Sequence, residues 1–293
     1  MAHIRVREVR EADAAAITAV HCSDETVWHA YERDGAVTTY ERLTPGERWL
    51  HGGSWMDEEL YRCYLTALRA AGHTAYGAEV DGVLRGHVEL FDDPNGLHVG
   101  LLWVHAHHRG RGLGRLLIAA AAAAGGRRPL TVRPNAAATG FYQTVGFRPW
   151  RELPGWTVQV PEGAATSAPV PTVPPEATVP GRLHVGATTV TSHTRFLWTP
   201  PPFALPLFAR IVHVEWPGRR LVLVPDWSGA GRPADAHVFA SGPLTGADVD
   251  MVLQAARQAG FAAVRCYTDP SDCAPPSGAA RLEPLSFWRR PPG

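Results

Sequence analysis

Between Leu101 and Leu117 the chain reads LLWVHAHHRGRGLGRLL, in which Arg109, Arg111 and Arg115 alternate with Gly110, Gly112 and Gly114. Such residues make either a solvated basic tract for nucleic acid or a folded loop whose backbone amides hold a small anion. The flanks separate the two readings. LLWV ahead of the loop has the character of a strand, and GLGRLLIAAAAAAG behind it is rich in the best helix former and closed by Gly125. A strand, glycine turn and helix in that order aim the unpaired N–H groups of the first helical turn at one point, where the helix dipole also favours negative charge. The glycines lack the Cβ atoms that would hold an anion away from the backbone, and the arginines can neutralise more than one phosphate. A pyrophosphate is the expected ligand. A P-loop would need Lys followed by Ser or Thr after its last glycine, and neither is present. A dinucleotide fingerprint needs G-x-G-x-x-G after the first strand of a βαβ unit, whereas Gly112-x-Gly114-x-x-Leu117 follows about the fourth strand.

The elements that must position this loop can be read from periodicity. HIRVREV alternates as a first strand and EADAAAITAVHC follows as an amphipathic helix. From Ser23 to about Leu43 the pattern is irregular and aromatic-rich, and LTPGERWLHGGSW holds two turn signals. DEELYRCYLTALRAAG predicts a helix with Leu60, Cys63, Tyr64, Ala67 and Leu68 on its apolar face and Gly72 as its stop. TAYGAEVDGVLRGHVELF predicts a hairpin turning at Asp81-Gly82, and GLHVGLLWVHA a further strand. PLTVRP is a short strand, NAAATGFYQTVG a helix and FRPWRELPGWTVQV a returning strand. The fold class expected is α/β (α+β): a mixed, mostly antiparallel sheet flanked by helices, with a second, smaller α+β domain.

Composition narrows the partners. In 293 residues, Lys+Arg and Asp+Glu both number 28, so no net field draws the chain to nucleic acid or an acidic membrane. The charged N-terminus has no apolar leader, and no window approaches the roughly 20 apolar residues of a membrane span. A cytoplasmic protein is expected. Cys22, Cys63, Cys266 and Cys273 are too scattered for a disulfide framework and are expected as reduced thiols. His105, His107 and His108 lack a carboxylate or cysteine partner at ligand spacing, so no metal is expected. The Pro, Ala, Ser and Thr-rich run from Pro161 to Gly181 reads as an extended spacer, which divides the chain into 1–160, 161–181 and 182–293.

The form Arg109-x-x-Gly112-x-Gly114 after LLWV resembles the acyl-CoA signature of the GNAT acetyltransferase superfamily. Asn135, Ala138, Phe141, Tyr142, Gly146 and Phe147 resemble its second pattern, N-x-x-A-x-x-F-Y-x-x-x-G-F, at the expected distance. The resemblance covers about Ile4 to Trp150. It implies acetyl-CoA as co-substrate, with its pyrophosphate on Arg109, Gly110, Arg111, Gly112, Leu113, Gly114 and Arg115. It also implies pantetheine paired with the strand end at Trp103 and Val104, a backbone N–H there as oxyanion donor, and Tyr142 beside the sulfur as general acid. Asn135 would either contact CoA or simply cap the helix.

An amine acceptor is mostly protonated at neutral pH, since an alkyl amine has a reference pKa near 10.4, so a base is needed. Many relatives place a glutamate on the fourth strand. Here that strand offers His98, whose reference pKa near 6.5 suits the task. Glu89 on the adjacent strand is the second choice. The plainer reading of His98 is a strand histidine that hydrogen-bonds across the sheet. Trp28, Tyr31, Tyr40, Trp49 and Trp55, with Asp24, Glu25, Glu32 and Asp34, would form an aromatic, acidic pocket for a cationic amine or would pack between helices.

The C-terminal part has strands RFLW, ARIVHVEW, RRLVLVPDW and AAVRCYT, and a helix ADVDMVLQAARQAG preceded by Thr245. No R-x-x-G-x-G loop accompanies them, so the part reads as a degenerate acetyltransferase-like repeat or an unrelated α+β accessory domain. Trp198, Trp216, Trp227 and Trp288 are expected in cores. The function implied is direct N-acetyl transfer to a small-molecule or peptide amine, with neither nucleic acid nor membrane as partner and with a homodimer compatible. Two alternatives stay open: an enzyme using another acyl group or decarboxylation at the same site, and a non-catalytic acyl-CoA-binding protein.

Overall fold

The computed structural model describes residues 2–23, 31–33, 36–38, 42–43, 54–93, 96–161, 182–184, 191–193, 212–216, 219–225, 235–240, 246–267 and 278–292. Two compact units share them. The first takes the described residues up to Arg148 together with those from Trp288 onward, and the second takes those from Pro149 to Phe287. Membership therefore does not follow chain order. No helix among the described residues is long and apolar enough to cross a membrane.

In the first unit β1 (Ile4–Glu8) leads to α1 (Ala14–His21), a small hairpin of β2 (Tyr31–Arg33) and β3 (Ala36–Thr38), and α2 (Glu58–Ala70). There follow β4 (Thr74–Val80), β5 (Val83–Asp93), β6 (Gly96–Val104), α3 (Leu113–Gly125), β7 (Leu130–Val132) and α4 (Thr139–Thr144). The main sheet runs β1-β4-β5-β6-β7. All neighbours are antiparallel except β6 and β7, which are parallel because α3 crosses between them. Both residues of the expected turn, Asp81 and Gly82, have positive φ (51° and 82°), as a two-residue hairpin turn requires.

The buried face of α2 differs from the one expected. Tyr61 and Leu65 are buried with Leu60, Tyr64 and Leu68, while Cys63 and Ala67 are only half-buried. The stripe is turned because α2 packs against both α1 and the short turn Ser54–Met56. Asp57 starts the helix, its carboxylate accepting from Leu60 N at 3.0 Å. On the other face of the sheet, Leu113, Leu117, Ile118 and Ala121 of α3 meet Val88, Leu90, Leu97 and Val99, and Tyr142, Phe147 and Trp288 join this core. Trp288–Arg290 pairs antiparallel with Val132–Leu130, so the strand beside β7 comes from the far end of the chain.

In the second unit β11 (Val212–Trp216), β12 (Arg219–Pro225) and β13 (Asp235–Ala240) are antiparallel. A helix α5 (Gly246–Gln258) then leads to β14 (Ala263–Tyr267), which runs parallel to β13. Beside β14 lies β8 (Arg148–Gln159), antiparallel through Gly155–Gln159. The order of three antiparallel strands, crossover helix, parallel strand and antiparallel neighbour is the same as that of β4, β5, β6, α3, β7 and Trp288–Arg290. Val214, Leu221, Leu223, Met251, Ala255 and Val264 build its core. The two short strands β9 (Arg182–His184) and β10 (Thr191–His193) pair with each other. The last strand, β15 (Ala280–Arg290), gives its residues through Phe287 to the second unit and the rest to the first. Cys22, Cys63 and Cys266 are free thiols. The expected spacer beyond Pro161, the strand RFLW, Thr245, Cys273, Trp198 and Trp227 lie outside the described residues, and so does the side chain of Trp216.

Candidate functional site

The glycine loop begins where β6 ends. A short turn, Ala106–His108, follows Val104, with His105 accepting from His107 N through Nδ1 at 3.3 Å. Gly110 and Gly112 then adopt left-handed backbone, with φ of 73° and 85°. A Cβ at either would meet nothing within 4 Å, so the glycines serve backbone conformation and open space rather than packing. Gly112 stands at the start of α3 and offers no side-chain cap, leaving the N–H groups of Leu113, Gly114 and Arg115 outside the helical ladder. Those groups and the dipole behind them suit an anion. Arg111 and Arg115 are exposed, and no carboxylate among the described residues pairs with either. Arg109 is anchored to the strand: its Nε donates to Val104 O at 3.1 Å and its guanidinium lies 5.7 Å from the centre of the Trp103 ring.

Gly114 is small for a different reason. Its Cβ would stand 3.1 Å from Phe141, so α4 closes against the first turn of α3 at this point. The two sequence motifs are therefore one packed object. Next to Phe141, Tyr142 is 6% exposed, and its ring meets those of Phe141 and Phe147 edge-on at 5.2 and 5.3 Å. Its phenol has no hydrogen-bond partner among the described residues, and burial pushes it well above the ordinary tyrosine range. It stays protonated at neutral pH and is available as a donor. Asn135 caps the following turn, accepting from Ala138 N at 2.8 Å, as the capping reading requires.

β6 and β7 pair only at Leu97–Val99 with Leu130–Val132. Beyond a register shift opposite Glu89/Leu90, β6 continues to Val104 without β7, so the end of the strand that carries Trp103 and Val104 opens toward the loop. His98 lies at the paired end. It is 3% exposed, and its Nδ1 and Thr131 Oγ share a hydrogen bond of 2.9 Å. That is the cross-sheet arrangement, and at about 3.3 Å per residue it leaves His98 roughly 20 Å along the strand from Val104.

Glu89 occupies the centre of a buried polar cluster on the face toward α1 and α2. Its Oε1 accepts from Trp55 Nε1 at 2.6 Å and Tyr61 OH at 3.3 Å, and its Oε2 from Tyr64 OH at 2.9 Å. His87, two residues earlier on β5, brings Nε2 to 3.7 Å from Glu89 Oε1 and to 3.5 Å from His21 Nε2. His21 ends α1 and stacks between Trp55 and Trp103, with ring centres 5.5 and 5.0 Å away. Burial, with His87 adding to it, holds the His21 imidazole well below the ordinary histidine range. Burial and the Glu89 charge push the phenols of Tyr61 and Tyr64 far up, so both remain donors. His21, His87 and Tyr61 were not singled out by sequence reasoning. The H-x-E spacing on a strand, which puts both side chains on one face, was the signal available for His87. The expected acceptor residues Trp28, Trp49, Tyr40, Asp24, Glu25 and Asp34 lie outside the described residues, as do the side chains of Tyr31 and Glu32. Trp55 is described and belongs to this cluster.

Residues 36–147 match the family model described as "Acetyltransferase (GNAT) family". Among solved structures, a GCN5-related N-acetyltransferase from Kribbella flavida aligns over 99% of this chain and 71% of its own, at 13% identity and a TM-score of 0.56. A protein from Pyrococcus horikoshii assigned as an acetyltransferase aligns over 98% and 89%, at 10% identity and a TM-score of 0.55. At these identities the likeness is one of fold. No curated protein sequence matches the chain significantly.

Proposed function

The N-terminal region is a GNAT acetyltransferase-superfamily domain, and on that premise we propose that the chain moves the acetyl group of acetyl-CoA directly to the amine of a small molecule or peptide. The observation that carries this reading is the pairing of left-handed Gly110 and Gly112 with the N-terminus of α3, set at the open end of β6. Acetyl-CoA supplies the activated acetyl thioester. The N–H groups of Gly112, Leu113, Gly114 and Arg115 would hold its pyrophosphate, with Arg109 and Arg111 beside it, and backbone groups of Trp103 and Val104 would take pantetheine. A backbone N–H at that strand end is the candidate oxyanion donor. Tyr142 would give the leaving sulfur its proton.

For the proton lost by the amine, the geometry favours Glu89 over His98. Glu89 pairs with Leu101 across β5 and β6 and shares a cluster with Trp103 near the loop, whereas His98 is committed to Thr131 at the other end of the strand. The second unit repeats the strand order of the first and supports the reading of a degenerate acetyltransferase-like repeat.

Calorimetric titration with acetyl-CoA tests the donor site. Arg109→Ala removes charge-assisted hydrogen bonds worth about 1.5–3 kcal/mol, or roughly 10- to 100-fold in Kd. Gly112→Ala adds about 1–2 kcal/mol of left-handed strain to the same loop. The double variant should bind acetyl-CoA at least as weakly as the first change predicts; unaltered affinity rejects the loop as the donor site.

A further inference from the structure

Side chains alternate between the two faces of a strand, and at the loop end of β5 and β6 their contacts identify the faces. A Cβ at Gly86 would stand 3.3 Å from Leu117, so Gly86 faces α3. His87 and Glu89 face the other way, toward His21 and Trp55, and so does Trp103 on β6. Arg85 shares that second face. His105 N donates to Arg85 O at 2.9 Å, and residues opposed in this way point to the same side of the sheet. The rings of His107 and His108 lie beside that of His105, with centres 5.6 and 5.5 Å away.

These groups have no counter-charge. Arg85 is half-buried, and no carboxylate among the described residues forms an ion pair with it, whereas Arg7, Arg62, Arg69, Arg128 and Arg265 each have one. His105 and His108 are half-buried too. Burial first, and then the Arg85 charge, hold both imidazoles below the ordinary histidine range. The other groups acting on them are Arg109, Arg111 and the histidines of the same turn, and none is a carboxylate. A guanidinium drawn partly out of water among imidazoles has lost solvation without gaining a partner. An anion seated there supplies one, and the planar fork of an arginine can hold it through two parallel N–H···O bonds.

Two anions can reach this end of the sheet, a phosphate of the coenzyme and an acidic group on the acceptor. Orientation separates them. The pyrophosphate site lies at the N-terminus of α3 with Arg111 and Arg115 exposed beside it, whereas Arg85 projects from the face away from α3. Because α3 closes its own face over Gly86, an acceptor reaching a thioester at the end of β6 comes from the face of Arg85. We propose that Arg85, with His105 and His108 beside it, holds an acidic group of the acceptor, so that the substrate class is an amine that also carries a carboxylate or a phosphate; the inference rests on the acetyl-transfer reading above. Arg85 is then a specificity residue that binds the acid group and takes no part in the chemistry. Residues two apart on one strand face are separated by about 6.6 Å. An acid group at Arg85 therefore leaves the rest of a small acceptor pointing toward Trp103, where the thioester is expected.

The site is tested first without any transfer. Inorganic phosphate titrated into the full ¹⁵N-histidine-labelled chain loaded with CoA should shift the ring signals of His105 and His108 and raise the pKa of both, because an adjacent anion favours the imidazolium. His98, committed to Thr131, should stay in place, and Arg85→Gln should abolish the response. Signals of His105 and His108 that ignore phosphate in the wild type overturn the proposal. CoA and dephospho-CoA should affect these signals equally, and CoA should bind Arg85→Gln as it binds the wild type. A response to CoA alone, or weaker CoA binding by the variant, gives the cluster to the coenzyme's 3′-phosphate and overturns the acceptor assignment. Thiol release then reads the substrate class with amines in matched pairs, each acid-bearing amine against its neutral amide, ester or dephosphorylated form. The acid-bearing member should be favoured about 10- to 100-fold in kcat/KM. Arg85→Gln should erase that preference with KM for acetyl-CoA unchanged, and Arg85→Lys should keep part of it. Pairs in which the neutral member is equal or better, or a preference that survives Arg85→Gln, overturn the proposal. Wild-type protein that binds acetyl-CoA but releases no thiol with any amine is a failure of the transfer reading, and the phosphate titration then decides the anion site alone.

Discussion

Trp288 lies in the last residues of the chain, yet its side chain is 6% exposed in the core of the first unit, among Leu97, Leu130, Val132, Tyr142 and Phe147. Its backbone pairs with Val132. Trp288→Ala therefore probes whether a unit built mainly from the first half of the chain depends on its end. A buried tryptophan removes about 150–250 Å² from water, which at about 25 cal/mol per Å² corresponds to roughly 4–6 kcal/mol. Measured truncations of this kind fall at about 3–5 kcal/mol. Against the roughly 5–15 kcal/mol of a whole domain, the loss is large. For a unit of roughly 150 residues each kcal/mol lowers Tm by about 2–4 °C, so a fall of about 6–20 °C is expected. Hydrogen exchange followed by mass spectrometry locates the effect. Protection should fall in Leu113–Gly125 and Leu130–Val132 and persist in Gly246–Gln258. A Tm change below about 2 °C, or a loss of protection confined to Gly246–Gln258, refutes the assignment of Trp288 to the first unit's core.

Gly114→Ala sets the helix-propensity gain of about 1 kcal/mol against an overpacking cost of about 1–3 kcal/mol at Phe141. Chemical denaturation should show a net loss that disappears in the double variant with Phe141→Leu. Tyr142→Phe keeps the ring's packing and removes the proton donor, so kcat should fall about 10²-fold with acetyl-CoA affinity and Tm unchanged. Arg7 holds the Asp13 carboxyl below its ordinary range through hydrogen bonds of 2.7 and 2.8 Å. A depressed carboxylate contributes stability that is fully present above its unfolded pKa, about 3.9, and is lost as pH falls through the lower folded value. Asp13→Asn should therefore be less stable than wild type at neutral pH, with the gap narrowing as pH falls below about 4 in acid unfolding curves.

Much of the donor side was legible because its signals are local. Positive φ at Gly110 and Gly112, the alanine-rich helix and the Asp81-Gly82 turn each follow from residues adjacent in the chain. Asn135 was left between two roles by sequence, and its contact with Ala138 N gives the cap a geometry. The Glu89 cluster was less accessible, since it joins α1, the Ser54–Met56 turn, α2 and β5, and no periodicity links those segments. His21 reads as one polar residue at a helix end until Trp55 and Trp103 close over it. The face of α2 was misplaced because a single-helix pattern does not show that two partners pack on it. The exchange of end strands was not legible either: FRPWRELPGWTVQV carries the alternation of a strand but nothing that names its neighbour, and its partner Ala263–Tyr267 lies far along the chain.

Acetyl transfer is tested most directly by amine-dependent release of free thiol from acetyl-CoA by the purified full chain, with the acetylated product confirmed by mass. The panel should include aminoglycosides, amino acids, polyamines and peptides with free N-termini. At least one amine should accelerate thiol release above the amine-free rate, and this acceleration should be lost in the Arg109→Ala, Gly112→Ala double variant. Thiol release that no amine accelerates, from protein that binds acetyl-CoA, contradicts acetyl transfer as the function.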